Sequence, residues 1–390
     1  MVRVSNVISR RKVLAGAVIA PFAGRSWLAG AESARDSRLM LVGTQTSDTS
    51  KGIYAYKWNP TTGELDQTGV AAETSWPTFI CSSPDGRFIY SVHERSEWEG
   101  QPKTGAVSSF AFDRRAMKLT LINTVISKGA GPCHISVDQT GRSLFVANYD
   151  GGSAASFLIG QDGKLSEAVS EFHYEGPGPN KERQEAPHAH RVTVTPDNRH
   201  LLVNDLGLDL VHIYDLDPAT AKLTTHDPAD WKSAPGAGPR ALRFHPNKKW
   251  AYVATEMGCT VSVLAWDPTK GTITTVQDVP LLADNHKNDD TGSELVIDRS
   301  GRHLYSAVRS DDFVAHLTID QATGKLTLVD RTPCGKIPRH MTLDPTERWL
   351  LVADQDGDAI SVLRRDTKTG ALDAKAKTFP ISHPQCLLFV

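Results

Sequence analysis

Three features of the sequence predict an all-β fold, a seven-bladed β-propeller of four-stranded antiparallel blades. A unit of about fifty residues recurs six times, each unit carries four strand signals, and the incomplete units at the two ends complement each other. The repeat is plainest in TFICSSPDGRFIYSV, CHISVDQTGRSLFVA, HRVTVTPDNRHLLVN, RALRFHPNKKWAYVA, SELVIDRSGRHLYSA and RHMTLDPTERWLLVA. Each is a short apolar run, a turn rich in Pro, Asp, Asn or Gly, a basic residue, and a second apolar run. That order reads as strand, tight turn, strand. The basic marker falls at Arg87, Arg142, Arg199, Lys249, Arg302 and Arg348.

The outer half of the unit follows the same logic. An alternating run such as Val211-His212-Ile213-Tyr214 supplies a third strand. A turn of the Gly-x-Leu kind leads into a fourth, as in Gly163-Lys164-Leu165, Gly271-Thr272-Ile273, Gly324-Lys325-Leu326 and Gly370-Ala371-Leu372. The chain ends at His383-Pro384-Gln385-Cys386-Leu387-Leu388-Phe389-Val390, which is only the first strand of a further unit. Leu39–Val42, Ile53–Tyr56 and the turn Gly63-Glu64-Leu65 supply the strands that unit lacks. One blade shared between the termini closes a ring of seven and removes the free sheet edges. An open solenoid would instead have capped, self-sufficient ends.

The first thirty-one residues read as an address. Ser9-Arg10-Arg11-Lys12-Val13-Leu14 resembles a twin-arginine export signal, a weakly apolar stretch follows, and Ala29-Gly30-Ala31 is an A-x-A cleavage site. The expected organisation is therefore a leader over 1–31 and a propeller over 32–390, delivered to the periplasm or beyond. Cleavage would remove five basic residues of the 43 (Arg3, Arg10, Arg11, Lys12, Arg25) and none of the 45 acidic ones, leaving a body acidic by about seven charges. That balance argues against nucleic acid and anionic membrane as partners. An anionic ligand needs a local basic patch, and the propeller is expected to work as a monomer.

The five cysteines are an odd number, widely spaced, without zinc-ligand spacing, and read as small buried residues. Ring closure would bring Cys81 near Cys386, which leaves a disulfide there open. No ligand spacing supports a catalytic metal, and no cofactor motif is present. Asp284-Asn285-His286 with Asp289 and Asp290 reads as a solvated acidic loop.

Register locates the site. Nine residues before the basic markers, at the start of the first strand, stand Thr78, Cys133, His190, Arg240, Ser293 and Arg339. Seven residues after them, at the end of the second strand, stand Glu94, Tyr149, Leu206 beside Asp205, Glu256, Arg309 and Gln355. In an antiparallel hairpin the start of one strand meets the finish of the next. Both sets should therefore lie at one mouth of the channel. His190, Arg240, Glu256 and Arg309 are the candidate catalytic residues, with His188, Arg339, Glu94 and Asp205 as candidate substrate contacts. The plainer alternative for the arginines is an inter-blade ion pair with Glu256 or Glu94. His200, His245 and His303 fall in turns or on blade faces and read as structural.

Gly129-Ala130-Gly131-Pro132-Cys133-His134, with Gly141-Arg142 and Leu144-Phe145-Val146-Ala147-Asn148-Tyr149, resembles the lactonase family of seven-bladed propellers, the 6-phosphogluconolactonase type. So do Pro187-His188-Ala189-His190, Asp205-Leu206-Gly207-Leu208-Asp209, and Gly236-Ala237-Gly238-Pro239-Arg240 leading into Phe244-His245-Pro246-Asn247. The resemblance covers about Leu39 to Val390. It implies hydrolysis of a small, anionic, sugar-type or carboxylated lactone without a cofactor. Relatives that interconvert carboxymuconates and muconolactones are proposed to act through a His, two Arg and a Glu, which match His190, Arg240, Arg309 and Glu256 here. Arg240-Ala241-Leu242 stands where the family commonly has Arg-His-Met, Thr255-Glu256 where it has Asn-Glu, and Ala307-Val308-Arg309-Ser310 is a loose Ser-Asn-Arg stretch. Pocket shape and substrate stay open.

The residues suit lactone hydrolysis, which needs an activated water, a stabilised oxyanion and a proton for the leaving alkoxide. A histidine with an ordinary pKa of about 6.5 can act as base and then acid near neutrality. Glu256 could orient His190 or share the base role. Arg240 and Arg309 could hold an anionic group or the oxyanion. No G-x-S-x-G elbow is present, which disfavours a covalent acyl-enzyme. A binding propeller that recognises an anionic ligand or protein partner without turnover is the alternative from another class.

Overall fold

The computed structural model describes residues 39–47, 49–282 and 291–390. The expected leader and the Asp284–Asp290 loop lie outside the described residues. Seven four-stranded antiparallel sheets make the blades. Blade 1 is the shared one, running outward from Pro384–Phe389 through Leu39–Thr44 and Gly52–Asn59 to Glu64–Glu73. Blades 2 to 7 begin at their inner strands: Ile80–Ser82, Pro132–Val137, Ala189–Val194, Pro239–Phe244, Gly292–Ile297 and Pro338–Leu343. These seven inner strands contact one another in a closed cycle around the channel.

Burial follows position in the blade. Second strands such as Ser143–Asn148, His200–Asp205 and Trp349–Asp354 are buried throughout, because a neighbouring blade covers each face. The outermost strand Leu165–His173 alternates with a period of two, as expected where one face meets solvent. The core is accordingly divided into seven clusters, each at the seam between two neighbouring blades. Met40, Val42, Tyr56 and Leu387 of blade 1 pack with Leu351, Ile360 and Trp349 of blade 7. Leu41, Ile53 and Cys386 pack with Ile80, Ile89 and Phe110 of blade 2.

The repeated sequence marks prove to be turn dressing. Arg87 pairs with Asp85 in its own turn, while Arg142 and Arg348 donate to carbonyls of Ala219 and Pro60 in the next blade. The glycine of the Gly-x-Leu turn serves a close approach. At Gly324 (φ +71°) a β-carbon would stand 2.5 Å from the Trp250 ring of the preceding blade. No disulfide forms among the described cysteines: Cys386 lies beside the chain carrying Cys81, its thiol donating instead to the Ile80 carbonyl at 3.6 Å.

The strand Pro384–Phe389 pairs in antiparallel register with Leu39–Thr44, Met40 opposite Phe389 and Val42 opposite Leu387. Deleting Gln385–Val390 should open this ring. Losing the burial of Leu387 and Cys386 alone removes about 3–5 kcal/mol, and the exposed edge of Leu39–Thr44 invites intermolecular pairing. The truncated protein is expected to melt at lower temperature and to aggregate in light scattering. Unchanged melting and a monodisperse solution would contradict the closure.

Candidate active site

A β-bulge at the head of the inner strands aims the site residues. In blades 3, 4, 5 and 7 the pairing register shifts between Pro132 and His134, Ala189 and Arg191, Pro239 and Ala241, and Pro338 and His340. The residue skipped in each case is Cys133, His190, Arg240 or Arg339. In blade 6 the shift lies between Gly292 and Leu295 and releases Ser293 and Glu294. A bulged residue leaves the ladder and turns its side chain away from the regular alternation. Cys133, His190, Arg240 and Arg339 line one small cavity at the axis, together with Thr78, Glu94 and Gln385. Of the residues in the sequence register, Thr78, Glu94, Cys133, His190, Arg240 and Arg339 meet in this cavity.

Glu256 organises the cations. Its Oε2 accepts from Arg240 Nε at 2.9 Å and forms an ion pair with Arg309 at 2.8 Å, and its Oε1 accepts from Arg183 at 2.5 Å. Burial opposes ionisation of this carboxyl, but Arg309, Arg240 and Arg183 outweigh it and hold the pKa at about 2. With both oxygens occupied by guanidinium groups, Glu256 is neither a base nor the partner of His190. The structure thus corrects the two roles expected for it. The ion pair expected as the plainer alternative for Arg240 does form, yet one carboxylate serves three arginines, so the cluster keeps a surplus of positive charge.

His190 sits inside that field. Burial first, then Arg240, Arg339 and Arg309, push its pKa well below the ordinary 6.5, so the imidazole is neutral. The ring meets the edge of Tyr149 at 5.7 Å and 85°. Tyr149 is stacked at 4.3 Å on His188, whose Nδ1 lies 3.1 Å from the Tyr149 carbonyl. His188 therefore stands behind Tyr149 rather than beside His190. Glu94 shares the cavity with Arg339; burial raises its pKa, against the pull of Arg339 and Thr78.

Asp205 does not reach the channel. It is fully buried in blade 4, where Oδ1 accepts from the backbone N–H groups of His188 at 2.9 Å and Leu208 at 3.1 Å. Its work is to hold the loop that presents Pro187–His190, and the expectation that it touches substrate is corrected.

Three further charged residues join the site without having been singled out in the sequence. Arg183 reaches in from the loop before Pro187 and is 39% exposed, the most accessible of the arginines on Glu256. Nothing in the fifty-residue register signals it, because it lies in an inter-blade loop. Arg191 directly follows the bulged His190, and Glu294 is the second residue of the blade 6 bulge. They pair across the channel between blades 4 and 6 at 3.0 and 2.9 Å, both buried. Reading the register one residue further would have found them. Burial opposes the charge on Glu294, and Arg191, Arg243 and His340 nevertheless hold its pKa at about 2.

A larger cavity of about 680 Å³ opens on the opposite side, at the tails of the inner strands. His134, Arg191 and His340 line both spaces and form the partition between them. The smaller space is lined by Glu94, His190, Arg240 and Arg339, and Glu256 ties Arg240 to Arg309 and Arg183 beside it.

Residues 39–389 match the family model described as lactonase, seven-bladed β-propeller. A 6-phosphogluconolactonase of Bacillus subtilis is 33% identical over 351 residues, covering 90% of this chain and 97% of the relative. A 6-phosphogluconolactonase of Formosa agariphila is 31% identical, covering 85% and 94%. The solved structure of a periplasmic gluconolactonase of Pseudomonas aeruginosa superposes with a TM-score of 0.84 at 30% identity, covering 90% of this chain and 98% of that one. With these likenesses spanning the whole propeller, the chain belongs to the lactonase family of seven-bladed β-propellers.

Proposed function

We propose that this protein hydrolyses a sugar-type lactone bearing a carboxylate or phosphate, at the channel mouth built by His190, Arg183, Arg240, Arg309 and Arg339. The observation that carries the reading is the arginine surplus around a half-buried, neutral histidine. Such a site attracts an anion and offers a base that is already deprotonated.

The reaction follows from those groups. Neutral His190 takes a proton from water as the water oxygen bonds to the lactone carbonyl carbon. The carbonyl oxygen becomes an oxyanion, which Arg240 and Arg309 stabilise by charge-assisted hydrogen bonds. The intermediate collapses, the bond from the carbonyl carbon to the ring oxygen breaks, and the imidazolium returns its proton to that oxygen. One water is consumed, a hydroxy acid is formed, and its carboxyl proton is released at neutral pH. Arg339 and Arg183 are placed to hold the substrate's own anionic group. A bound anion also offsets the field that weakens His190 as a base, so substrate binding restores its basicity.

Export fits the same picture. The twin-arginine-like segment at Ser9 to Leu14 suggests delivery in the folded state, and one solved relative is described as periplasmic. Replacing Arg10 and Arg11 with Lys is expected to trap untrimmed precursor in the cytoplasm, read by fractionation and N-terminal mass spectrometry. Trimmed protein outside the cytoplasm would refute the twin-arginine route.

His190→Ala should lower kcat by roughly 10²–10⁴-fold, the usual worth of general acid–base assistance. Arg309→Ala should both raise KM for an anionic lactone and lower kcat. Glu256→Ala should cost stability as well as activity, about 3–5 kcal/mol, because it strands buried arginines without their carboxylate. A pH-stat panel of 6-phosphogluconolactone, gluconolactone and muconolactone reads all of these. Full activity in His190→Ala, or anion binding without hydrolysis of any panel member, would replace the enzyme with a binding propeller.

The pH dependence has a definite sign. Because the free-enzyme pKa of His190 is depressed, kcat/KM should not begin to fall at 6.5 but only well below it. Removing Arg240, the largest charge acting on it, should shift that acid limb upward. The imidazole titration followed by NMR should move in the same direction.

A further inference from the structure

On the far flank of blade 4, three side chains that the lactonase reading leaves unused converge. His200 and Asp215 are direct cross-strand partners, and His226 comes from the outer strand Lys222–Lys232, where the pairing slips between His212 and Tyr214. Their ligand-type atoms all lie within 4.8 Å of one another. His226 Nδ1 is 2.8 Å from Asp215 Oδ1, and His200 Nε2 is 3.3 Å from the same oxygen. The 3.3 Å separation matches that between donor atoms around a tetrahedral ion bound at about 2.0–2.1 Å, and the 2.8 Å contact would open by about 0.5 Å to admit one.

Hydrogen bonding sharpens the reading. His226 Nε2 lies 2.7 Å from the Lys270 carbonyl and must carry a proton to donate to it. Its Nδ1 then contacts a carboxylate oxygen, a pairing satisfied either by a second proton on the ring or by a cation bound between the two atoms. A ring nitrogen tied to a backbone carbonyl, with the other nitrogen free to bind, is the usual arrangement of a metal-ligating histidine. His200 is 4% exposed and its Nδ1 has no partner. Gly271 makes room: a β-carbon there would stand 2.6 Å from His200 Nε2 and 2.7 Å from His226 Nε2. The corresponding pair under Gly370 is a contrast, since His303 and His316 satisfy each other at 3.0 Å.

We propose that His200, Asp215 and His226 form a binding site for a divalent transition-metal ion of the zinc type, tying strands of blade 4 together. Two imidazoles and one carboxylate suit Zn²⁺, and solvent on the exposed Asp215 side supplies the fourth ligand. His200 begins the strand that ends at Asp205, so five residues at about 3.3 Å each place the site about 17 Å from the channel mouth. The metal is therefore not part of the lactonase chemistry, and His200, read from the sequence as structural, gains a role.

The test is titration of tag-free, chelator-stripped protein with Zn²⁺ against a chromophoric chelator, and with Co²⁺ for its visible absorption. One equivalent should bind at micromolar or lower concentration, with the intense absorption of four-coordinate Co²⁺. Asp215→Asn and His226→Ala should each weaken binding at least tenfold while leaving lactone hydrolysis unchanged. Zn²⁺ should raise the melting temperature of the parent protein but not of His226→Ala. Both variants alter half-buried or exposed residues, so folding can be checked independently by melting. No stoichiometric binding at tens of micromolar, or equal binding by the variants, overturns the proposal.

Discussion

Everything in this molecule depends on closing the ring. A blade buries its apolar faces only against its neighbours, so the core exists as seven seams rather than one centre. Two of those seams are built on blade 1, whose inner strand comes from the last residues of the chain and whose other strands come from near residue 40. Without that pairing the first and last blades would each expose an apolar face and an unpaired edge. Closure also imposes geometry. Seven inner strands in a cycle must converge at their heads, and so must whatever side chains stand there.

Convergence creates an electrostatic problem that the site turns to use. Burying charge costs several kcal/mol per ion unless partners compensate it. Glu256 is the compensation: one carboxylate ties Arg240 of its own blade, Arg309 of the next, and Arg183 of a distant loop. Deeper in the channel Glu294 repeats the device with Arg191 and, at 3.5 Å, Arg243. The first cluster holds more arginine than carboxylate and leaves His190 neutral. The second is nearly balanced and serves as the floor. A carboxylate that read as a general base in the sequence thus works by holding cations in place.

The bulge at the head of the inner strands of blades 3 to 7 connects sequence to site. Pro132, Pro239 and Pro338 immediately precede Cys133, Arg240 and Arg339, and the ladder slips at each. The skipped residue is freed from alternation and turned to the axis. This is why a purely linear register, nine residues before a basic marker, selected cavity-lining side chains. It is also why the marker itself carries no function: it lies at the hairpin turn, at the other end of the strand.

The sequence by itself determined the repeat, the number of blades, the shared blade at the termini, and the level at which His190, Arg240, Glu256, Arg309, Arg339 and Glu94 stand. All of these follow from strand periodicity and a constant hairpin length, which are local properties of the chain. Tertiary structure alone decided which charges meet. Arg183 enters from a loop outside the register, Arg191 and Glu294 pair across the axis from non-adjacent blades, and Asp205 turns into its own blade to bind backbone N–H groups. The protonation states of His190 and Glu256 belong to the same class. They arise from burial and from cations supplied by other blades, and such interactions exist only once the ring has closed.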